Sequence, residues 1–188
     1  MKAKRWKLFL DFEKEEKWLN KMAAVGFAMT HFSLGRYTFE ECAAGEYIYR
    51  IELLKNSIAD PESIKYIHFM EDNGAEHVAS YLNWVYFRKK AIEGPFEIYS
   101  DLESRIRHYQ RLVRLWIIIG LVFLVAILAQ IGGIIDFIEN GYQDIPFHIA
   151  NYLLWGALII LDAVLISRFL PRYIGKVKRL KRERDVRE

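Results

Sequence analysis

Two long apolar segments dominate the C-terminal half of the chain. Residues 115–135 contain no charged residue, and residues 148–170 are mostly apolar but include Asp162. A helix of about 20 apolar residues matches the hydrocarbon core of a bilayer. The roughly 100 residues that precede these segments are too few to bury both helices inside a soluble core. The pattern therefore predicts two transmembrane helices, residues 115–138 and 148–170.

The charges beside these segments predict the orientation of the protein. Four arginines closely precede the first segment, and a basic tail, residues 171–188, follows the second. The connector, residues 139–147, has acidic but no basic side chains. Because Lys and Arg concentrate on the cytoplasmic side, we expect a two-pass protein of the cell membrane, inner or plasma, with both termini cytoplasmic. The tail is then expected to lie near anionic lipid headgroups.

The first hundred residues alternate between period-2 and helical patterns. Strands are predicted at residues 6–12, 27–41, 46–54 and 77–90, and helices at residues 13–25 and from Asp60 to about residue 74. Asp60 is the expected N-cap and Pro61 the first helical residue, and residues 42–45 are expected to form a hairpin turn. The order β-α-β-β-α-β is typical of a ferredoxin-like sandwich, with an antiparallel sheet under two helices. We therefore predict an α+β cytosolic domain, residues 1–99.

A connecting helix is predicted between this domain and the first apolar segment. Gly94-Pro95 interrupts the preceding pattern, and Ser100 with Glu103 forms a capping-box signature. No helix breaker follows before residue 115. We therefore expect residues 100–114 to be helical and continuous with the first span, rather than a flexible tether.

The sequence favours neither an enzyme nor a metal or cofactor protein. It has one cysteine, Cys42, and five histidines without metal-ligand spacing, and it contains no nucleotide-binding or nucleophile motif. Glu13, Glu15 and Glu16 share a helix with lysines, so they are expected to form a solvated face. We expect no catalytic residues, no cofactor and no bound metal.

Aromatic side chains alternate along the predicted strands and form a candidate partner-binding sheet face. They are Tyr37, Phe39, Tyr47, Tyr49, Trp84 and Tyr86. Exposed aromatics on a four-stranded sheet also serve RNA recognition. Residues 1–100, however, carry 14 basic and 15 acidic residues, a net charge of −1, which lacks the positive charge that nucleic-acid binding requires. We expect this face to contact the helices, a protein partner, the membrane-proximal helix or a second copy, and we expect no nucleic acid.

Asp162 is the polar residue of the apolar segments that most needs an explanation, since a carboxylate in the hydrocarbon region is costly. Gln130 lies about 10 Å away in depth at helical rise, too far for easy pairing, whereas Arg114 could extend toward the carboxylate. Asp162, Gln130 and Arg114 are therefore the candidate intramembrane interaction residues. A protonated Asp bonded to backbone, a contact with another chain and a transport path remain open alternatives.

Several separated blocks of sequence resemble one known family. They are WKLF at 6–9, DFEKEE at 11–16, WLN at 18–20, GRY-x-FE at 35–40, GEY-x-YRI at 45–51, WVYFRK at 84–89 and GPFE at 94–97. Together they resemble the domain of unknown function 2812 family (DUF2812) over about residues 4–110. The resemblance implies a small bacterial membrane protein, often with paired transmembrane helices, and a link to PadR-like transcriptional regulators. It implies no catalytic residues.

These observations favour a membrane-anchored sensor or adaptor whose cytosolic domain binds a protein partner in a regulatory, PadR-linked response. The alternative is an accessory subunit of a membrane transporter complex, docked through Asp162. The expected partners are the lipid bilayer and a transcriptional regulator, a transporter or a second copy of the chain.

Overall fold

The structure is a computed structural model that describes the backbone of residues 2–99, 101–140 and 145–187. Side chains are described over the same residues except 136–140, 145–148 and 187. The chain divides into two units, Met1–Ser100 and Asp101–Glu188.

The N-terminal unit is a mixed α+β fold with two antiparallel three-stranded sheets. Its elements are, in chain order, β1 (Lys2–Trp6), α1 (Phe12–Ala24), β2 (Phe27–Ser33), β3 (Arg36–Glu41), β4 (Tyr47–Leu53), α2 (Pro61–Asp72), β5 (Glu76–Tyr81), β6 (Trp84–Lys90) and a 3₁₀ turn (Ala91–Glu93). Sheet A has the strand order β1-β3-β2, and sheet B has the order β4-β6-β5.

The two sheets are copies of one strand–helix–hairpin unit. In each copy the third strand lies in the middle, and the hairpin turn has two residues, Leu34-Gly35 in sheet A and Leu82-Asn83 in sheet B. Each copy also has a register shift four residues before the leucine of its turn, at Thr30 and at Val78. The shared topology and irregularities indicate an internal structural repeat.

The predicted ferredoxin-like topology is not confirmed, because the order of strands and helices differs. Residues 27–41 and 77–90, each predicted as one strand, contain the two hairpins. Residues 42–45, predicted as a hairpin turn, instead connect strands of different sheets. The α+β class is confirmed. Each hairpin was predicted as one strand because its turn has only one turn-forming residue, Gly35 or Asn83, next to a leucine, within a continuous β-type pattern.

The first strand is shifted from its prediction. It spans Lys2–Trp6 rather than residues 6–12, and its ladder continues by one bond, from the Lys7 amide to the Gly35 carbonyl (2.8 Å). Asp11 then caps α1 by accepting a hydrogen bond from the Glu13 amide at 3.1 Å. The chain therefore turns between these points, and Leu8 and Leu10 are exposed instead of forming a strand face.

The second helix begins as predicted. Asp60 accepts a hydrogen bond from the Glu62 amide at 2.8 Å, and Pro61 is the first helical residue. Ile67 and Met70 are buried, whereas Ile64 on the same helix is 43% exposed.

Helix α1 protects the outer edge of β4. The Asn20 side chain accepts a hydrogen bond from the Tyr49 amide (2.8 Å) and donates to the Tyr49 carbonyl (3.0 Å), as a neighbouring strand would. Glu16 accepts a hydrogen bond from the Ile51 amide at 3.0 Å. These side chains satisfy an edge that would otherwise be open to another chain.

Two apolar cores stabilise the unit. The larger core joins α1 to the inner faces of both sheets and includes Leu19, Met29 and Phe39, all with no exposed surface. The smaller core lies between sheet B and α2 and contains Val85 and Phe87. Since side chains of β6 contribute to both cores, sheet B is covered on both faces.

The C-terminal unit is an antiparallel pair of long helices, α3 (Leu102–Asn140) and α4 (Ile145–Arg187). Both are long and apolar enough to cross a membrane, and only 11% and 6% of their most apolar windows are buried. This distribution differs from that of a soluble core helix, which is mostly buried. The expected loop, residues 139–147, includes residues 141–144, which lie outside the described residues.

Loss of the Asn20 side chain is predicted to open the edge of β4. Asn20→Ala removes three hydrogen bonds, two to Tyr49 and one to the Glu16 carbonyl, which should cost about 3 kcal/mol. Hydrogen exchange at the Tyr49 and Ile51 amides should accelerate by about two orders of magnitude. The exposed Lys17→Ala on the same helix is the control, and equal protection in the two variants would contradict the assignment.

Candidate functional site

Most of the aromatic residues predicted to face a partner lie in the core. Tyr37, Phe39, Tyr49 and Tyr86 are at most 3% exposed, whereas Tyr47 and Trp84 are half-buried. The four buried side chains could meet a partner only if the unit opened. Partner binding through this set stays a prediction, and only Tyr47 and Trp84 offer surface for it.

A carboxylate lies at the centre of these aromatics. The hydroxyls of Tyr37 and Tyr86 both donate to Glu15 Oε1, at 2.6 and 2.7 Å, and Glu15 is only 7% exposed. Tyr37 belongs to sheet A, Tyr86 to sheet B and Glu15 to α1. One carboxylate oxygen thus links three elements that are distant in the sequence.

The prediction of a solvated acidic face on α1 is therefore wrong for Glu15. Glu15 lies in register with Phe12 and Leu19, three residues after one and four before the other, so it shares their inward face. Glu16 is also largely covered, with 22% of its side chain exposed. The helical spacing of Phe12, Glu15 and Leu19 was the signal in the sequence that could have located the buried carboxylate.

Burial dominates the electrostatics of this site. It raises the pKa of Glu15, and the two tyrosine hydrogen bonds oppose that rise. The pKa values of Tyr37 and Tyr86 are raised as well, by burial and by the adjacent carboxylate. Among the described residues no lysine or arginine forms an ion pair with Glu15, so two phenol hydroxyls hold the carboxylate without a cation.

Aromatic rings enclose the Glu15 site on several sides. Phe32 packs on both tyrosines, with ring centroids 4.7 Å from Tyr37 and 4.9 Å from Tyr86. Trp18 meets Tyr37 edge-on at 4.8 Å. On the outside, the Lys7 ammonium lies 4.9 Å from the ring centroids of both Phe9 and Trp18, which is cation–π distance.

Arg88 forms a second polar link between the two sheets. It makes a two-point ion pair with Glu76 at 2.6 and 2.7 Å, lies 4.4 Å from the Tyr47 ring centroid, and donates to the Met29 carbonyl at 3.3 Å. Glu76 contributes to a raised pKa of Arg88. Burial raises the pKa of Tyr49, beside this link, to about 12.

The structure does not bring the intramembrane candidates together within one chain. Trp116 stacks on Phe169, and a Cβ added at Gly120 would lie 2.8 Å from Ile166. This antiparallel register places Asp162, which is 8% exposed, about level with Phe123. By helical rise, Gln130 is then about 10 Å and Arg114 about 14 Å away along the helix axis. Their role in interactions between chains stays a prediction.

Within the described part of the chain, no group of three or more His, Cys, Asp or Glu side chains is placed to hold a metal ion. Cys42 is half-buried, and burial raises the pKa of its thiol. A raised pKa disfavours the nucleophilic thiolate.

Comparison with known proteins assigns a family but no activity. A family model described as "Protein of unknown function (DUF2812)" matches residues 11–121, from the α1 N-cap into the apolar part of α3. No curated protein and no solved structure shows a match to the chain.

The buried carboxylate predicts a particular pH dependence of stability. Because the folded-state pKa of Glu15 is raised, the native unit favours the protonated acid, and its stability falls as pH rises from below about 4.5 through the folded pKa. Glu15→Gln keeps an acceptor for both tyrosines but cannot ionise. The variant should therefore gain thermal stability relative to wild type as pH increases from 4 to 8.

The measurement is the difference in unfolding temperature between each variant and wild type across that pH range. The exposed Glu97→Gln provides the control and should follow wild type throughout. A difference for Glu15→Gln that stays constant with pH would contradict the raised pKa.

Proposed function

The chain belongs to the DUF2812 family, whose description carries no activity, and from its own residues we propose that it is a membrane-anchored adaptor. In this proposal the helix pair spans the cell membrane, and the α+β unit is held in the cytosol to bind a protein partner in a regulatory response. The proposed partner is a transcriptional regulator, because the family resemblance implies a link to PadR-like regulators. The same resemblance implies a bacterial origin.

The observation that carries the proposal is the continuity of α3 beyond its apolar segment. The helix begins at Leu102, about a dozen residues before the apolar run, and is unbroken to Asn140. Helix α4 likewise continues through Pro171 to Arg187. The pair therefore extends past the apolar segment as two helices rather than as loose chain, which is a geometry suited to relaying a change in the membrane.

Contacts between the helices hold this extension together. Arg184 donates to Glu103 at 2.6 Å, and Tyr109 packs on Tyr173 with ring centroids 6.3 Å apart. The Lys176 ammonium lies 4.9 Å from the ring centroid of Tyr109. We call these five residues the stalk contacts, and the parts of the two helices that they join, residues 102–114 and 171–187, the stalk. They couple the ends of the two helices, so that a displacement of either helix in the bilayer reaches the other.

The orientation in the proposal rests on charge. The stalk region is rich in arginine and lysine on both helices, and such residues favour the cytoplasmic side. Placing this end in the cytoplasm puts the α+β unit there too, since it immediately precedes α3 in the chain.

An accessory subunit of a membrane transporter is the second candidate. It is favoured by Asp162, a carboxylate within an apolar segment that is level with neither Gln130 nor Arg114 of its own chain. Asp162 is only 8% exposed within the helix pair, so a larger membrane protein or a second copy could supply a donor for it only after the two helices repack. Loss of a polytopic protein on Asp162→Asn would favour this candidate over the adaptor.

The adaptor proposal predicts that interrupting the stalk uncouples the domain from the membrane helices. Two glycines inserted after Arg107 should disrupt α3 because glycine disfavours helix and because the insertion moves the stalk contacts out of register. The control inserts two glycines after Glu97, an exposed position outside the helices that follows the buried Phe96, so it lengthens the chain and leaves α3 intact.

Crosslinked pull-down from native membranes, read by mass spectrometry, distinguishes the outcomes. We expect wild type and the Glu97 control to retain the same soluble partner and the Arg107 insertion to retain a smaller or altered amount of it. Identical partners and phenotypes for both insertions and for Asp162→Asn would refute the coupling.

A further inference from the structure

The two hairpin turns lie at the same end of the N-terminal unit. Phe32, two residues before Leu34, packs edge-on against Tyr81, the residue before Leu82, with ring centroids 5.8 Å apart. At the other end of these strands, the Met29 carbonyl accepts a hydrogen bond from Arg88, whose cross-strand partner is Glu76. Strands β2 and β5 therefore run side by side in the same direction, and both turns lie at one end of the unit.

Both turns carry an exposed leucine in a backbone conformation that is unfavourable for it. Leu34 and Leu82 have φ values of +42° and +53°, in a region where glycine or asparagine is favoured and branched side chains are rare. They are 61% and 72% exposed, so neither side chain gains packing in return. The repeat of this unfavourable choice in both copies suggests that the exposed leucines serve an interaction.

Three more large apolar side chains lie at the same end. Trp6 pairs across the ladder with Arg36, next to the first turn, and Leu8 approaches Gly35 within that turn. Leu10 is two residues before Phe12, whose ring centroid lies 5.6 Å from that of Trp84, which follows the second turn. Trp6, Leu8 and Leu10 are 74%, 78% and 53% exposed. We call Trp6, Leu8, Leu10, Leu34 and Leu82 the apolar end.

The exposed charged side chains next to the apolar end on β1 and at the start of β3 are basic. Residues 2–10, 30–39 and 77–87, which form the two turns and the strands beside them, contain no aspartate or glutamate. Acidic residues follow further along the chain, at Asp11 after Leu10 and at Glu62 after the end of β4, which bonds Asn83. The three segments contain five basic residues, and Lys4, Arg5, Lys7 and Arg36 are exposed beside the apolar side chains. This contrasts with residues 1–100 as a whole, which carry a net charge of −1.

We propose that the apolar end of the N-terminal unit docks onto an anionic lipid surface, with Leu34 and Leu82 inserted among the headgroups and Lys4, Arg5, Lys7 and Arg36 beside lipid phosphates. Tryptophan and leucine with surrounding lysine and arginine are the side chains that favour the membrane interface. Anionic headgroups attract the basic residues at close range. The proposal does not depend on the adaptor function or on the identity of a protein partner.

The test uses the full chain in lipid nanodiscs, with Cys42→Ser as background and one fluorescent label at a time. One label is attached at Leu8→Cys, in the apolar end, and the other at Ala44→Cys, an exposed site beyond the opposite end of β3. Quenching by lipids with a nitroxide at the headgroup is measured in neutral nanodiscs and in nanodiscs that contain phosphatidylglycerol.

We expect the label at residue 8 to be quenched about twofold more than the label at residue 44, and more strongly as the anionic fraction rises. Leu34→Ser combined with Leu82→Ser should reduce quenching at residue 8 to the level at residue 44. Lys4→Gln combined with Arg36→Gln should make quenching at residue 8 independent of the anionic lipid fraction. Val25→Ser with Ile92→Ser replaces exposed apolar residues outside this end. This control should leave the quenching at residue 8 unchanged.

Two results would overturn the proposal. Equal quenching at residues 8 and 44 in anionic nanodiscs would mean that the apolar end does not reach lipid. A residue-8 label that is protected from lipid but crosslinks to a second copy or to another protein would mean that the apolar end is a protein interface.

Discussion

The N-terminal unit depends on a single buried oxygen atom. Glu15 Oε1 accepts hydrogen bonds from Tyr37 and Tyr86, and these three residues belong to a helix and to the middle strands of two separate sheets. A buried carboxylate is tolerated only when its acceptor capacity is used. Sheets A and B share no ladder among the described strands. This polar centre, the aromatic rings around it and the Arg88–Met29 hydrogen bond therefore join them.

Helix α1 is the element on which both sheets converge, and its sequence explains why. Its inward positions carry Glu15 and Leu19 toward the larger core, while Glu16 and Asn20, one position further along, reach the backbone of β4. Helix α2 occupies the same place in the second copy of the repeat but covers only its own sheet. The two copies therefore share a topology but differ in packing, because only α1 contacts both sheets.

Features that depend on neighbouring residues in the sequence could be predicted, and features that depend on contacts between distant segments could not. Helix starts at Asp60 and the apolar runs of α3 and α4 depend on local pattern, and they were predicted. The turn at Leu34-Gly35 was missed because a glycine preceded by leucine is a weaker hairpin signal than Asn-Gly or Asp-Gly. The division into two sheets depends on pairings between strands that are far apart in the sequence. The burial of Glu15 could have been predicted only from its position on the inward face of α1, because its charge indicates an exposed residue.

The length of the stalk has a mechanical consequence. From residue 114 to Leu102, helix α3 extends about 18 Å beyond its apolar segment at 1.5 Å per residue. A helix held to its neighbour at Glu103 and Tyr109 behaves as a stiff lever over that distance. A tilt of about 10° at the membrane surface would therefore carry its first turn sideways by about 3 Å. Displacements of that size are comparable to the helix shifts that switch subunit interfaces in allosteric proteins, and this is the movement by which the proposed adaptor would pass a change in the bilayer to the beginning of α3.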